Sequence, residues 1–449
     1  MIASIKQIVA VWLAVLMGVL MMPMSYLRAF QDEDSSLDGS AYTLTETGKN
    51  AYAIGGRVRP FNYFGLRYTC GGYMKGVFSY LLSNGKEAEE EFFLEPGDGA
   101  IFYSFTDDYL KKKKAIRPMS LRFTPLSGDC GDFEPTAFSV FNRKIFDKEI
   151  FIENEKLKAG VNLDWGGALS YLEDLDSGVE VVNSSGKIVV DARAGEKTGG
   201  KVLSRNVNLI NCHDTGRLVQ QSYYGSADSA GYEAGEYMGI RWAYNPVQGG
   251  NQFGGKSKIV DVRLTDTAVT VKARPMDWAL DDAHITPSYM EATYTLDGGV
   301  LKTVCRFVDF SGYDRCVKTQ ELPAFYCAEP LNDFIYPDET GNLVSVPDLI
   351  FWPDAGYPNF KSSENWAAFT AGGTDGFGIG LLTPHHGTFL AGVADRGGCR
   401  TADPAAEGPT SYIACVDTFE FASFRPFEYE FYLTTGDANE IRSQFNSIQ

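Results

Sequence analysis

The sequence has no C-x-x-C pair, no HxH or HExxH arrangement, and only four histidines in 449 residues. Zinc ribbons, thioredoxin-type sites and zincin-type centres have no ligands to draw on, so neither a metal nor a cofactor is expected. His385 and His386 are adjacent, and on a strand they would point to opposite faces rather than share one ion. A GxSxG nucleophile elbow and a GxGxxG dinucleotide fingerprint are also missing, so esterase, nucleotide and NAD chemistry are not expected. Basic charge is short: 40 Lys and Arg against 58 Asp and Glu give a net charge of −18. Nucleic acid and anionic membrane surfaces are therefore poor partners for the whole chain, and a strongly polyanionic substrate is disfavoured unless a local arginine cluster overrides the acidic surface. Helical periodicity is nearly absent outside residues 437–445, and no repeat of fixed period is present.

What the sequence does contain points to β-structure. Aromatics make up 13%, and 47 glycines supply tight turns between strands. The length exceeds a usual single core, so two domains are expected. Residues 1–24 carry one lysine and then a run without charge from Ile8 to Met24, followed by the acidic spacer 25–39. Signal peptide and membrane-anchoring signal anchor are both open, and either places the remainder outside the cytoplasm, secreted or membrane-anchored. Eight cysteines, an even number in such a chain, permit up to four disulfides. Asn183-Ser-Ser is the one glycosylation sequon.

Residues 40–145 read as an accessory β-sandwich, with strand-like segments at 100–105 and 120–124 and a PGDG turn before the first. Glu89-Glu-Glu91 and Lys111-Lys-Lys-Lys114 are opposite-sign runs expected on solvated faces. From 146 to 449 the pattern implies a second, larger domain. Strands are expected at 259–263, 268–273, 290–296, 301–307, 376–382, 389–393, 412–416 and 427–433, with LDGG (296–299) as the clearest hairpin signal. So many short strands imply a mainly β fold, a large antiparallel two-sheet supersandwich.

The stretch 208–255 concentrates the chemistry. Its segment RLVQQSYY (217–224) has strand-like residues with amides and rings on both alternating faces, where a half-buried strand would show one apolar face. Amides that reach hydroxyls, beside rings that stack, suit a sugar site; a glycine-rich loop bonding its own backbone is the plainer alternative. His213 beside Asp214 is a candidate acid–base pair, with Tyr223 as a further base. Glu291 and Glu364 are the carboxylates that could face them. Arg217, Gln220, Gln221, Tyr224, Trp242, Asn245 and Gln248 are candidate sugar contacts, joined by Trp278 and Trp366 in two later clusters of rings and carboxylates. Exposed strand carboxylates and turn-capping aspartates would explain the same residues without chemistry.

The segments IENEKLKAGVNLDWGGALSYLEDL (152–175), NLINCHDTGR (208–217) and FEYEFYL (427–433) together resemble galactose-mutarotase-like domains. These are β-supersandwiches found in aldose epimerases and in many glycoside hydrolases and polysaccharide lyases. The resemblance covers about residues 146–435 and implies a carbohydrate ligand. Members that mutarotate use a His acid and a Glu base; His213 matches the first, while the second His and the Glu have no matched position. The function expected is an extracytoplasmic carbohydrate-active enzyme cleaving glycosidic bonds by hydrolysis or elimination. A non-catalytic sugar-binding or surface protein and an aldose epimerase are the alternatives.

Overall fold

The computed structural model describes residues 37, 41–105, 114–127, 133–143, 146–175, 180–182, 188–191, 208–225, 235–281, 283–313, 316–347, 349, 358–394 and 404–448. The apolar run Ile8–Met24, the sequon at Asn183, Cys130, Cys399 and the lysines Lys111 to Lys113 lie outside them. Among the described residues every strand pairing is antiparallel, and no helix is long and apolar enough to cross a membrane.

The first unit is a small sandwich. Its five-stranded sheet runs Tyr42–Gly48, Ala51–Gly56, Ala115–Pro125, Met74–Leu82, Glu87–Leu94, and its three-stranded sheet runs Gly97–Ser104, Tyr63–Cys70, Glu134–Phe141. The expected turn near residue 96 is the corner at which the chain leaves one sheet for the other. Alternation puts Phe64, Phe78, Phe92, Tyr103 and Phe138 inward, where tilted and stacked rings fill the space between the sheets.

The larger unit packs a ten-stranded sheet on a nine-stranded one. The first includes, in order, Thr388–Ala394, Thr410–Phe421, Cys316–Ala328, Val219–Ser222, Ala168–Asp174, Leu157–Asn162 and Glu149–Glu153. The second includes Lys258–Leu264, Ala268–Arg274, Ser288–Asp297, Val300–Asp309, Phe427–Gly436, Gly378–Leu382 and Trp366–Thr370. Leu169, Val219, Phe325 and Ile413 from one sheet meet Val271, Tyr294, Phe369 and Leu433 from the other in one apolar core. The LDGG signal is a hairpin in which Asp297 pairs with Val300 across Gly298-Gly299. The glycine bend at Gly166-Gly167 has left-handed backbone at both residues (φ 60° and 71°), and a Cβ on Gly167 would collide with Val271 of the facing sheet. Among the described residues the one α-helix, Ala438–Asn446, starts from a capping box in which Asp437 and Glu440 bond each other's backbone N–H.

Two expectations change. The acidic run at 89–91 is exposed only at Glu89: Glu90 is buried and ion-paired with Lys258, and Glu91 pairs with Lys75 and Arg274. Glu95 takes a two-pronged grip from Arg306, one bond measuring 2.8 Å. Lys258, Arg274 and Arg306 belong to the larger unit, so acids on and just after one edge strand clamp the two sandwiches together. The sequence shows the charges but not the surface that covers them. Four disulfides are also not formed. Cys305, Cys316, Cys327 and Cys415 are free thiols, and no two cysteines are joined among the described residues. Their strand partners are other residues: Cys327 lies opposite Ser411 and Cys415 opposite Phe389.

Candidate functional site

The strand Val219–Ser222 sits beside Cys316–Ala328 in the ten-stranded sheet, and alternation sorts their side chains. Val219 and Phe325 turn into the core, while Gln220, Ser222, Ala324 and Tyr326 face the other way. Tyr326 pairs with Tyr412 on the next strand, their rings 4.5 Å apart. A pocket of about 420 Å³ lies on this outer face, within the range of roughly 300–1,000 Å³ usual for small-molecule sites. Its far wall is Tyr237, Trp242 and Trp278, which meet edge to face at 5.1 and 5.5 Å.

A bulge brings a carboxyl group onto the same wall. Ser222 pairs with Glu321 and Gln220 with Ala324, so two steps on one strand match three on the other. The extra residue, beside Pro323, reverses the parity and points Glu321 outward. Tyr224 donates its hydroxyl to Glu321 at 3.2 Å, and Tyr412 is the second hydroxyl bonded to it. Burial pushes the Glu321 carboxyl above the usual range, against the lowering effect of those two bonds. The Tyr412 hydroxyl is pushed well up by burial and by the neighbouring carboxylate. Tyr224 is held in place by Gln320, whose amide bonds both the Tyr224 N–H (2.7 Å) and its carbonyl (2.8 Å).

The remaining polar groups are fixed from behind. Asn245 accepts from the Trp242 indole at 3.2 Å and donates to Ser222 and to the Tyr223 carbonyl. Gln220 accepts from the Gly249 N–H at 2.7 Å and donates to the Thr215 and Arg217 carbonyls. Asp277, 2% exposed, accepts backbone N–H bonds from Asn245 and Ala279, yet burial raises it to about 6. Arg217 reaches the pocket with its guanidinium 5.4 Å above the Tyr326 ring.

Thus the structure brings Arg217, Gln220, Tyr224, Trp242, Asn245 and Trp278 to one pocket. It places the other candidates elsewhere. His213 is exposed, outside the pocket wall, with Nδ1 3.1 Å from the Ala406 carbonyl. Asp214 caps a turn, accepting the Gly216 and Arg217 N–H groups at 2.9 and 3.1 Å. Tyr223 is fully buried and donates to Gln221. Gln221 and Gln248 are buried behind the pocket: Gln221 donates to the Glu291 carbonyl across the sheets, and Gln248 to the Gly166 carbonyl of the glycine bend. Glu291 stands on the facing sheet between Lys272 and Arg306. Glu364 holds the C-terminal helix through Arg442 and accepts the Trp366 indole at 3.0 Å, with Trp366 in the core beneath.

Glu321, Tyr326, Tyr412 and Tyr237 line the pocket without having been singled out in the sequence. A proline inside an otherwise regular strand pattern at 323 is the signal that could have marked Glu321. The string Gly250 to Ser257, GNQFGGKS, carries the letters of a P-loop. The strand Lys258–Leu264 follows it where a phosphate-binding loop needs a helix, and Lys256 is committed to Asp164 at 2.8 Å. The string therefore does not have the strand–loop–helix setting of a phosphate-binding loop.

The fold class is a mainly antiparallel β-sandwich. Among solved structures it is similar to a putative aldose 1-epimerase from Escherichia coli K12, at 9% identity over 64% of this chain and 99% of that one, with a TM-score of 0.36. A galactose mutarotase related enzyme from Lactobacillus acidophilus is similar at 11% identity over 65% and 98%, TM-score 0.36. A GH36 α-galactosidase from Geobacillus stearothermophilus is similar at 13% identity over 65% of this chain and 40% of that one, TM-score 0.34. No protein-family model and no curated protein matches the sequence.

Proposed function

We propose that the protein is a carbohydrate-active enzyme that holds one unit of an oligo- or polysaccharide in this pocket and cleaves a glycosidic bond there. The observation that carries the reading is the wall itself: Tyr224, Trp242, Trp278, Tyr326 and Tyr412 surround the polar groups Gln220, Asn245 and Glu321. Rings stack on the apolar face of a sugar, and convergent amides and a carboxyl group fix its hydroxyls. Glu321 is the proton-transfer group. Its carboxyl, raised by burial, and its two tyrosine neighbours suit an acid–base role better than any other group on the wall. An extracytoplasmic location is proposed with it, supported by the uncharged run Ile8–Met24.

Incubation with an oligosaccharide panel, with products read by mass, tests the reading. Saturated fragments mean hydrolysis, which uses two carboxylates and so would require a partner for Glu321. Fragments lighter by one water mean elimination, which one base can drive. Binding without turnover, or a changed anomer ratio of a free sugar, would overturn cleavage in favour of a binding protein or an epimerase.

A further inference from the structure

Arg217 is built differently from the other well-anchored arginines of the fold. Arg306 is bonded to Glu95 and Glu428, and Arg442 to Glu364. Arg217 has only a long bond to the Gly408 carbonyl at 3.4 Å and a carboxylate, Asp214, at 4.0 Å. One oxygen of that carboxylate is already committed to two backbone N–H groups. The Arg217 Nε is buried with no hydrogen-bond partner among the described residues. An unpartnered buried guanidinium N–H is costly, and a carboxylate that fills it offers two parallel bonds.

The backbone also gives something up to keep Arg217 in place. Leu218, next in the chain and fully buried, has a left-handed backbone (φ 80°), a conformation non-glycine residues rarely hold. Its N–H donates to the Asn211 carbonyl at 2.8 Å, and its carbonyl accepts from Tyr326 at 2.9 Å, which fixes the reversal. The guanidinium lies 5.4 Å above the Tyr326 ring, on the pocket wall. Arg217 is the only basic residue on the pocket wall among the described residues.

We infer that the pocket takes a sugar bearing a carboxylate, a uronic-acid unit, with Arg217 as the group that grips the acid. The inference rests on the carbohydrate reading above and adds its substrate class. The rings hold the sugar's faces, Gln220 and Asn245 stand near its hydroxyls, and the acid lies over Tyr326 at the arginine edge. The net charge of the protein is −18, and Arg217 is the cation that would hold the acid locally.

The test is quenching of tryptophan fluorescence, since Trp242 and Trp278 line the pocket. The probes are unsaturated-free trisaccharides of galacturonic, glucuronic and mannuronic acid, the methyl esters of each, a neutral glucose trisaccharide and a sulfated trisaccharide. At least one acid should bind about tenfold to a hundredfold more tightly than its own methyl ester. Arg217→Met should erase that preference, weakening the acid far more than its ester. Arg217→Lys, which keeps the charge and the stem but not the fork, should restore the thermal transition of the protein and only part of the preference. Equal binding of acid and ester, or tighter binding of the neutral or sulfated probe, overturns the acidic-sugar inference and leaves the carbohydrate reading standing. Quenching by none of the probes overturns both.

Discussion

Asp277 should make the protein less stable as pH rises, and one substitution isolates the effect. The carboxyl is 2% exposed, beneath the Trp242–Asn245 side of the pocket. Backbone N–H groups of Ala279, Asn245 and Leu280 favour its charged form, but burial outweighs them and raises it from the ordinary 3.8 to about 6. The folded chain therefore binds this proton more tightly than the unfolded chain. The favourable contribution is fully present below the unfolded value and is lost as pH climbs through about 6. A gap of that size corresponds to roughly 3 kcal/mol, at about 1.36 kcal/mol per tenfold. Glu173, Asp309 and Glu321 are raised by burial too and add slope of the same sign, so the wild-type curve alone is not diagnostic. Asp277→Asn removes one titration and keeps the shape. Urea denaturation of both proteins from pH 3.5 to 8 gives the difference between their stabilities. That difference should move by about 3 kcal/mol in favour of the variant, mostly between pH 4 and 6.5. Parallel curves above pH 4 would show that Asp277 titrates as an exposed aspartate and would refute the burial argument.

Four further outcomes follow from the packing and the pocket. Trp366→Ala should cost about 3–5 kcal/mol in chemical denaturation, because it empties the space under the C-terminal helix and takes a donor from Glu364. Gly167→Ala should destabilise by more than about 1 kcal/mol on the same measurement, since the left-handed backbone and the Val271 collision act together. His213→Ala should leave turnover of any active substrate unchanged and alter stability by less than about 1.5 kcal/mol, because one carbonyl contact is lost. Glu321→Gln should abolish turnover of the same substrate while quenching titrations still show binding; full activity would remove Glu321 from the chemistry.

Much of the fold was legible because its signals are local. Two-residue periodicity and glycine turns marked the strands of the larger unit, and helical periodicity over 437–445 marked the helix. The site was half legible for a definite reason. RLVQQSYY was read as polar on both faces, and it is, but a strand gives only one parity to a pocket. Gln220 and Ser222 took it, while Gln221 and Tyr223 turned inward to bond across the sheets. No local pattern says which parity faces out when both are polar. The missing wall came from strands about 100 and 190 residues further on, where Tyr326 and Tyr412 look like ordinary strand aromatics. Glu321 reached it only through a bulge that shifts register by one residue. Glu364 and Trp366 misled for the opposite reason: a carboxylate beside an indole is also how a helix is tied down.

Val260, Tyr289, Val308 and Phe310 of the large sandwich lie in the same apolar cluster as Phe64, Phe78 and Phe92 of the small one. Strand pairing stops between the two units, but the oily interior runs through. Cutting the chain near residue 145 would leave each fragment with a wet hydrophobic wound, one of them also carrying a row of stranded glutamates. The smaller sandwich is thus a permanent flank of the larger, and each carries the face that the other needs covered.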